Sequence, residues 1–292
     1  MKTKLLLFSW ILILFTACQS EKSEKASTAT QKEQKAAPAV DPAKALLEYV
    51  NTHPDAHEEN AKKLNEASKL YLGVNKYQSA LACLNQAVRN HYTGSMTAEN
   101  ALSMATIYKE KYKKPNLAQV VYQSLGKTFG DNAAVQTALA ANPVSIPAIG
   151  TFLDDLAGKL TNSETGKIEV QMANDFVAAS ELHAMLEPTD AENANYLHKA
   201  GEIARSMRAF PKAIDLYNWI YTKYPDSKKA SQALFMSAFT MDNELKQVDK
   251  ARALYEQFLK TYPNDDFADD TKFLLANLGK SNEEIIESFG NQ

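Results

Sequence analysis

The sequence predicts an all-α fold: a solenoid of about five to six stacked helical hairpins with an irregular middle. Three observations predict it. First, Lys212-Ala213-Ile214, Tyr217, Ile220 and Tyr224-Pro225 recur as Lys250-Ala251-Arg252, Tyr255, Phe258 and Tyr262-Pro263. The offsets 251−213, 255−217, 258−220 and 263−225 are all 38, and a constant offset over so many positions means stacked copies of one unit. Second, Ala213, Tyr217, Ile220 and Tyr224 are spaced by four, three and four, which makes one stripe of a helix that Pro225 cannot continue. Third, Leu197, Ala200, Gly201 and Ala204 form another stripe, with small residues where a second backbone must come close. Neither stripe can be buried alone, so the helices pair and the pairs stack.

Taken in order, the chain opens with Lys2 and Lys4 before an apolar run over 5–15 interrupted by Ser9. A bilayer span needs about 20 apolar residues, so residues 1–17 read as a cleaved signal rather than a permanent helix. Phe15-Thr16-Ala17-Cys18 resembles a bacterial lipobox. That resemblance implies a diacylglyceryl group on the Cys18 thiol, removal of the peptide before it and acylation of the new amino terminus. The alternative is an ordinary secretory signal with an incidental cysteine. Two or more acyl chains anchor stably, so the lipobox reading makes a membrane surface a partner. Residues 18–40 carry no aromatic residue and only Val40 as a large aliphatic. They are expected to be a flexible tether with an r.m.s. reach of roughly 25 Å.

Residues 41–142 are expected to hold the first repeats. Leu64, Ala67, Tyr71, Ala80, Leu84 and Ala87 supply the stripes, and Ala118, Tyr122, Leu125 and Phe129 lie 38 beyond Ala80, Leu84, Ala87 and His91. Residues 143–190 form an irregular helical connector, because 213−118 is 95, two and a half periods. Pro143 and Pro147 mark a break, a helix is expected over 149–160, a polar turn over 161–167 and a long helix over 168–186 ended by Pro188. This segment is either a degenerate helix pair or a bend joining two short solenoids. Residues 191–292 return to the regular repeat, with a short insertion near 242–249. A last first helix over 269–279 and an acidic helix over 282–289, with Ser281 as N-cap and Glu284 as its reciprocal acid, cap the stack.

With Ala194 as the start of a 34-residue unit, Leu197, Ala200, Gly201, Ala204, Ala213, Tyr217, Ile220 and Pro225 fall on the signature positions of the tetratricopeptide repeat, which the chain resembles over 57–130 and 191–280. Leu197 stands where tryptophan is frequent in that family. The resemblance implies a right-handed superhelix whose first helices line a concave groove. The groove positions map to Lys62, Asn65, Lys69, Leu72 and Gly73 in one repeat and to Asn195, His198, Glu202, Arg205 and Ser206 in a later one. Members that clamp a terminal carboxylate carry lysine and asparagine where Asn65 and Lys69 stand, so that use is not implied.

Little chemistry is expected. A net charge of −3 without a basic, aromatic-laced stripe gives no nucleic-acid partner. Of the five histidines, His53 and His57 are four apart but separated by Pro54, so no metal site is expected. Gly158 and Gly166-Lys167 lack the spacing and the Ser or Thr of a phosphate loop, and no Gly-x-Ser-x-Gly elbow occurs. Cys83 is expected to be a small core residue. No enzyme activity and no small-molecule cofactor are expected. Tetratricopeptide lipoproteins behind a lipobox resemble the outer-membrane β-barrel assembly lipoprotein and the Tol-Pal-associated cell-division coordinator. That resemblance implies a non-enzymatic scaffold on the outer membrane, facing the periplasm, whose partners are other envelope proteins or peptide segments. Gln19-Ser20 lacks the aspartate that retains many lipoproteins at the inner membrane. The alternatives are a nutrient-binding lipoprotein and a regulatory or chaperone subunit of an envelope enzyme or secretion complex.

Overall fold

The computed structural model describes residues 41–280 and 283–284. The expected signal, the Cys18 lipidation site and the tether lie outside these residues, as does the 282–289 helix with its Ser281 cap apart from residues 283 and 284.

The described residues form thirteen α-helices and one π-helical turn, and their only strand-like feature is the isolated bridge between Thr161 and Ile168. In chain order the helices are α1 (Lys44–Thr52), α2 (His57–Gly73), α3 (Tyr77–Asn90), α4 (Gly94–Thr106) running into the π turn Ile107–Lys111, α5 (Pro115–Thr128) and α6 (Ala133–Ala141). There follow α7 (Ile149–Ala157), α8 (Val170–Leu186), α9 (Asn193–Ser206), α10 (Phe210–Lys223), α11 (Lys229–Asn243), α12 (Val248–Thr261) and α13 (Ala268–Asn277). The helices pair as α2/α3, α4/α5, α7/α8, α9/α10 and α11/α12, each packed on the next. This is the predicted all-α hairpin solenoid. Helices α1 and α6 were not anticipated, although Ala43, Leu46, Leu47 and Val50 already carry helical spacing.

Four of the five hairpins, all but α7/α8, close on one left-handed residue that is not glycine. Asn75, Lys113, Arg208 and Lys246 have φ of 58°, 56°, 61° and 53°. The differences 113−75 and 246−208 are both 38, so the repeat period is written in backbone dihedrals as well as in side chains. In the regular turns the next amide reaches back to the last turn of the first helix, Lys76 N to Tyr71 O at 2.9 Å and Ala209 N to Ala204 O at 2.8 Å. Such a left-handed residue supplies donors for carbonyls that a helix end leaves free. In the second hairpin the π turn takes up added length before the turn, and the bond becomes Lys114 N to Tyr108 O at 2.8 Å. The insertion expected near 242–249 amounts to one residue, four linking residues between α11 and α12 where α9 and α10 are joined by three.

The repeating side chains make the core. Ala213, Tyr217 and Ile220 and their counterparts Ala251, Tyr255 and Phe258 are fully buried, as are Leu64, Ala67, Ala80 and Leu84 of the first repeat. Gly201 has a specific reason to be glycine, because a Cβ there would lie 2.5 Å from the Tyr217 ring. Near the C-terminal end Phe235 stacks on Phe267 with centroids 4.6 Å apart, inside a second apolar cluster formed by α11, α12 and α13.

The middle segment resolves into a helix pair. After the break over 142–148, α7 and α8 form a hairpin whose turn is closed by the Thr161–Ile168 bridge. Ten of the seventeen residues of α8 are buried, because α3, α5, α7 and α9 all pack against it. A helix that is apolar nearly all round belongs inside, and α8 occupies that place. Charged contacts tie its rim to its neighbours: Lys114 at the start of α5 pairs with Asp175, and Lys212 of α10 reaches Glu181 at 2.8 Å. Beside them Arg89 of α3 bonds Asp215 of α10 at 2.7 Å and lies 4.0 Å above the Trp219 ring.

Gly201→Ala is expected to lower stability by about 1–3 kcal/mol through forced displacement of Tyr217, read as a lower denaturant midpoint. An unchanged midpoint would show that the two helices do not meet at this position.

Candidate protein-binding faces

The ten residues expected to line a groove divide between α2 and α9, the first helices of two hairpins. On α2, Lys62 and Lys69 are exposed. Lys62 pairs with Glu58 one turn earlier at 2.8 Å, and Lys69 reaches across to Glu99 of α4 at 3.4 Å. Asn65 is instead buried and donates to Asn100 Oδ1 at 2.6 Å. Adjacent first helices approach too closely there for the amide to face solvent, so Asn65 joins repeats and presents no open surface. Leu72 is half-buried, while Leu70, Gly73 and Val74 are exposed at the end of α2.

On α9, Asn195 is exposed and bonds Glu192 at 2.8 Å. Glu202 stands 3.9 Å from both His198 and Lys199, and half-buried Arg205 lies 3.9 Å from Glu244, just after α11. Ser206 is exposed and donates to the Glu202 carbonyl. His198 departs from the expectation as Asn65 does: it is buried with its ring 5.9 Å from that of Tyr217. Burial pushes its pKa down, with Glu202 opposing the shift. The charged members of both sets that reach solvent, Lys62, Lys69, Glu202 and Arg205, carry both signs and lie beside neighbours of opposite charge. Such a surface is hydrated, two-signed and available to a polar segment.

Two further clusters of polar side chains are paired among themselves. A cavity of about 490 Å³ opens between the start of α5 and α7–α8, floored by Leu117, Phe152 and Leu156, and Lys114 and Asp175 on its wall are already joined. At the end of α8, His183, Glu187 and Asp190 bring three ligand-type atoms within 4.8 Å of one another. Their hydrogen bonds account for the cluster. The two nitrogens of fully buried His183 face different carboxylates, Nδ1 to Glu187 at 3.1 Å and Nε2 to Asp190 at 2.8 Å. Glu187 also accepts from Ser124 at 2.7 Å and Lys127 at 3.0 Å, both on α5. The network locks α8 to α5 and to the loop before α9. Cys83 is buried, its thiol pushed up to about 11 by burial and then by Asp41, which suits a packing role.

A family model for the tetratricopeptide repeat matches residues 232–265. That stretch contains most of α11 and all of α12. Its first residue is 194+38 and its length, 265−232+1, is 34, so it begins one period after the unit that starts at Ala194. No curated protein matches the sequence. Five stacked hairpins and this repeat define a tetratricopeptide-type helical solenoid, an architecture that serves as a protein-interaction scaffold.

Glu187 gives the α8 network a pH signature. Burial alone would raise its carboxyl, but hydrogen bonds from His183, Ser124 and Lys127 hold it down to about 2 against a usual 4.5. A depressed carboxylate stabilises the fold fully above the unfolded value and loses that contribution as pH falls through the folded one. On the order of 2–3 kcal/mol should therefore disappear between about pH 4.5 and about pH 2. Denaturant unfolding across that window should show the gap between the native chain and Glu187→Gln narrowing as acid is added; a constant gap would refute the assignment.

Proposed function

We propose that the chain is a lipid-anchored interaction scaffold of the bacterial cell envelope, held at the outer membrane facing the periplasm, that docks an extended segment or helix of another envelope protein. The observation that carries this reading is the pair of first-helix faces, where Lys62, Lys69, Glu202 and Arg205 reach solvent on a rigid stack. Mixed surface charge favours selective, salt-sensitive docking, because a wrong partner meets like charge. The lipobox-like Phe15-Thr16-Ala17-Cys18 supports the anchor. Anchoring multiplies a modest affinity by confining scaffold and partner to one membrane. The tasks best matched are outer-membrane assembly and cell-wall or division machinery.

Two measurements test the parts separately. Photocrosslinkers at Lys69 and Glu202 in intact cells should capture envelope proteins. Charge reversal at Lys62 and Lys69, or at Arg205, should reduce capture about tenfold, roughly 1.4 kcal/mol, without lowering the melting temperature. Equal capture by the reversed chains would refute docking on these faces. For the anchor, Cys18→Ser is expected to move the protein from the membrane to the soluble fraction and to abolish acyl mass on the mature amino terminus. Retention of the variant on the membrane would remove the lipid from the account.

A further inference from the structure

His57 and His91 lie 34 residues apart, in no metal-binding spacing, yet the antiparallel α2/α3 hairpin puts them at the same end. His57 is the first residue of α2 and His91 follows the last residue of α3. Their Nδ1 atoms are 3.1 Å apart, with ring centroids at 5.3 Å and planes inclined by 47°. His91 is buried. His57 is exposed, so the pair opens to solvent.

When two imidazoles are both neutral and meet through Nδ1, they share one proton, which one ring donates to the other. Moving that proton to Nε2, with exchange to solvent, leaves two lone pairs side by side. Two nitrogens 3.1 Å apart, each about 2.0–2.1 Å from a common ion, subtend about 98° there, between octahedral and tetrahedral geometry. Two unpartnered oxygens lie close to the pair in the chain. Asn60 Oδ1, one helical turn after His57, and Thr93 Oγ1, two residues after His91, are buried oxygens without a hydrogen-bond partner. Such acceptors suit the protons of water molecules bound to an ion. The His183–Glu187–Asp190 cluster differs in that its nitrogens and carboxylates already satisfy one another.

We propose that His57 and His91 form a two-imidazole site for a first-row divalent cation of the zinc or copper class, with water completing the coordination. Nitrogen ligands of this kind suit zinc, copper and nickel better than magnesium or calcium. The bound ion fastens the start of α2 to the end of α3 and stabilises the first hairpin by mass action.

The test uses the untagged chain. Calorimetry with Zn²⁺ should show one ion per chain, and electron paramagnetic resonance with Cu²⁺ should show two nitrogen ligands. His57→Ala removes an exposed ligand, so the fold survives; affinity should fall about tenfold or more, the Zn²⁺-dependent rise in melting temperature should vanish, and the Cu²⁺ spectrum should lose a nitrogen. His53→Ala should change none of these. No saturable binding, binding indifferent to His57→Ala, or equal loss in His53→Ala would each overturn the assignment.

Discussion

The fold depends on the burial of α8. A seventeen-residue helix with ten buried positions cannot stand in water, and only the simultaneous presence of α3, α5, α7 and α9 covers it. The regular hairpins on either side can be read as cladding for that rod. His183 sits fully buried near its end, held between two carboxylates that also engage α5. A polar group this deep is tolerable only when its hydrogen bonds are met, and meeting them fixes the position of α8 along its axis.

Much of this was legible from residue spacing. Ala213, Tyr217 and Ile220 against Ala251, Tyr255 and Phe258 identified both the period and the core, because a stacked unit must bury equivalent residues. The helix–turn–helix character of 149–186 was also readable from Pro143, Pro147, Pro188 and the polar turn. The central role of α8 was not. Local patterning tells that a helix is apolar, but only the return of α5 and α9 onto it tells that it is enclosed. The left-handed turn residues Asn75, Lys113, Arg208 and Lys246 escaped notice because three are basic residues with no strong preference for that conformation.

The candidate surface was only partly legible. Template positions located α2 and α9 correctly as first helices, yet Asn65 and His198 proved to be interior. Spacing along one helix cannot report how closely the next helix approaches, and at Asn65 that approach brings Asn100 within hydrogen-bonding distance. The meeting of His57 with His91 was hidden for a related reason: their separation encodes an antiparallel return, whereas metal motifs are sought as short runs.

The contact of Arg89 with Asp215 and Trp219 bears on mechanics. It joins residues 126 positions apart in a type of architecture whose units otherwise touch only adjacent units. An open array of that kind stretches like a spring, each joint yielding independently. Cross-linked between α3 and α10, this one loses that softness: strain applied to the first hairpin is carried to the fourth directly instead of through every joint between them.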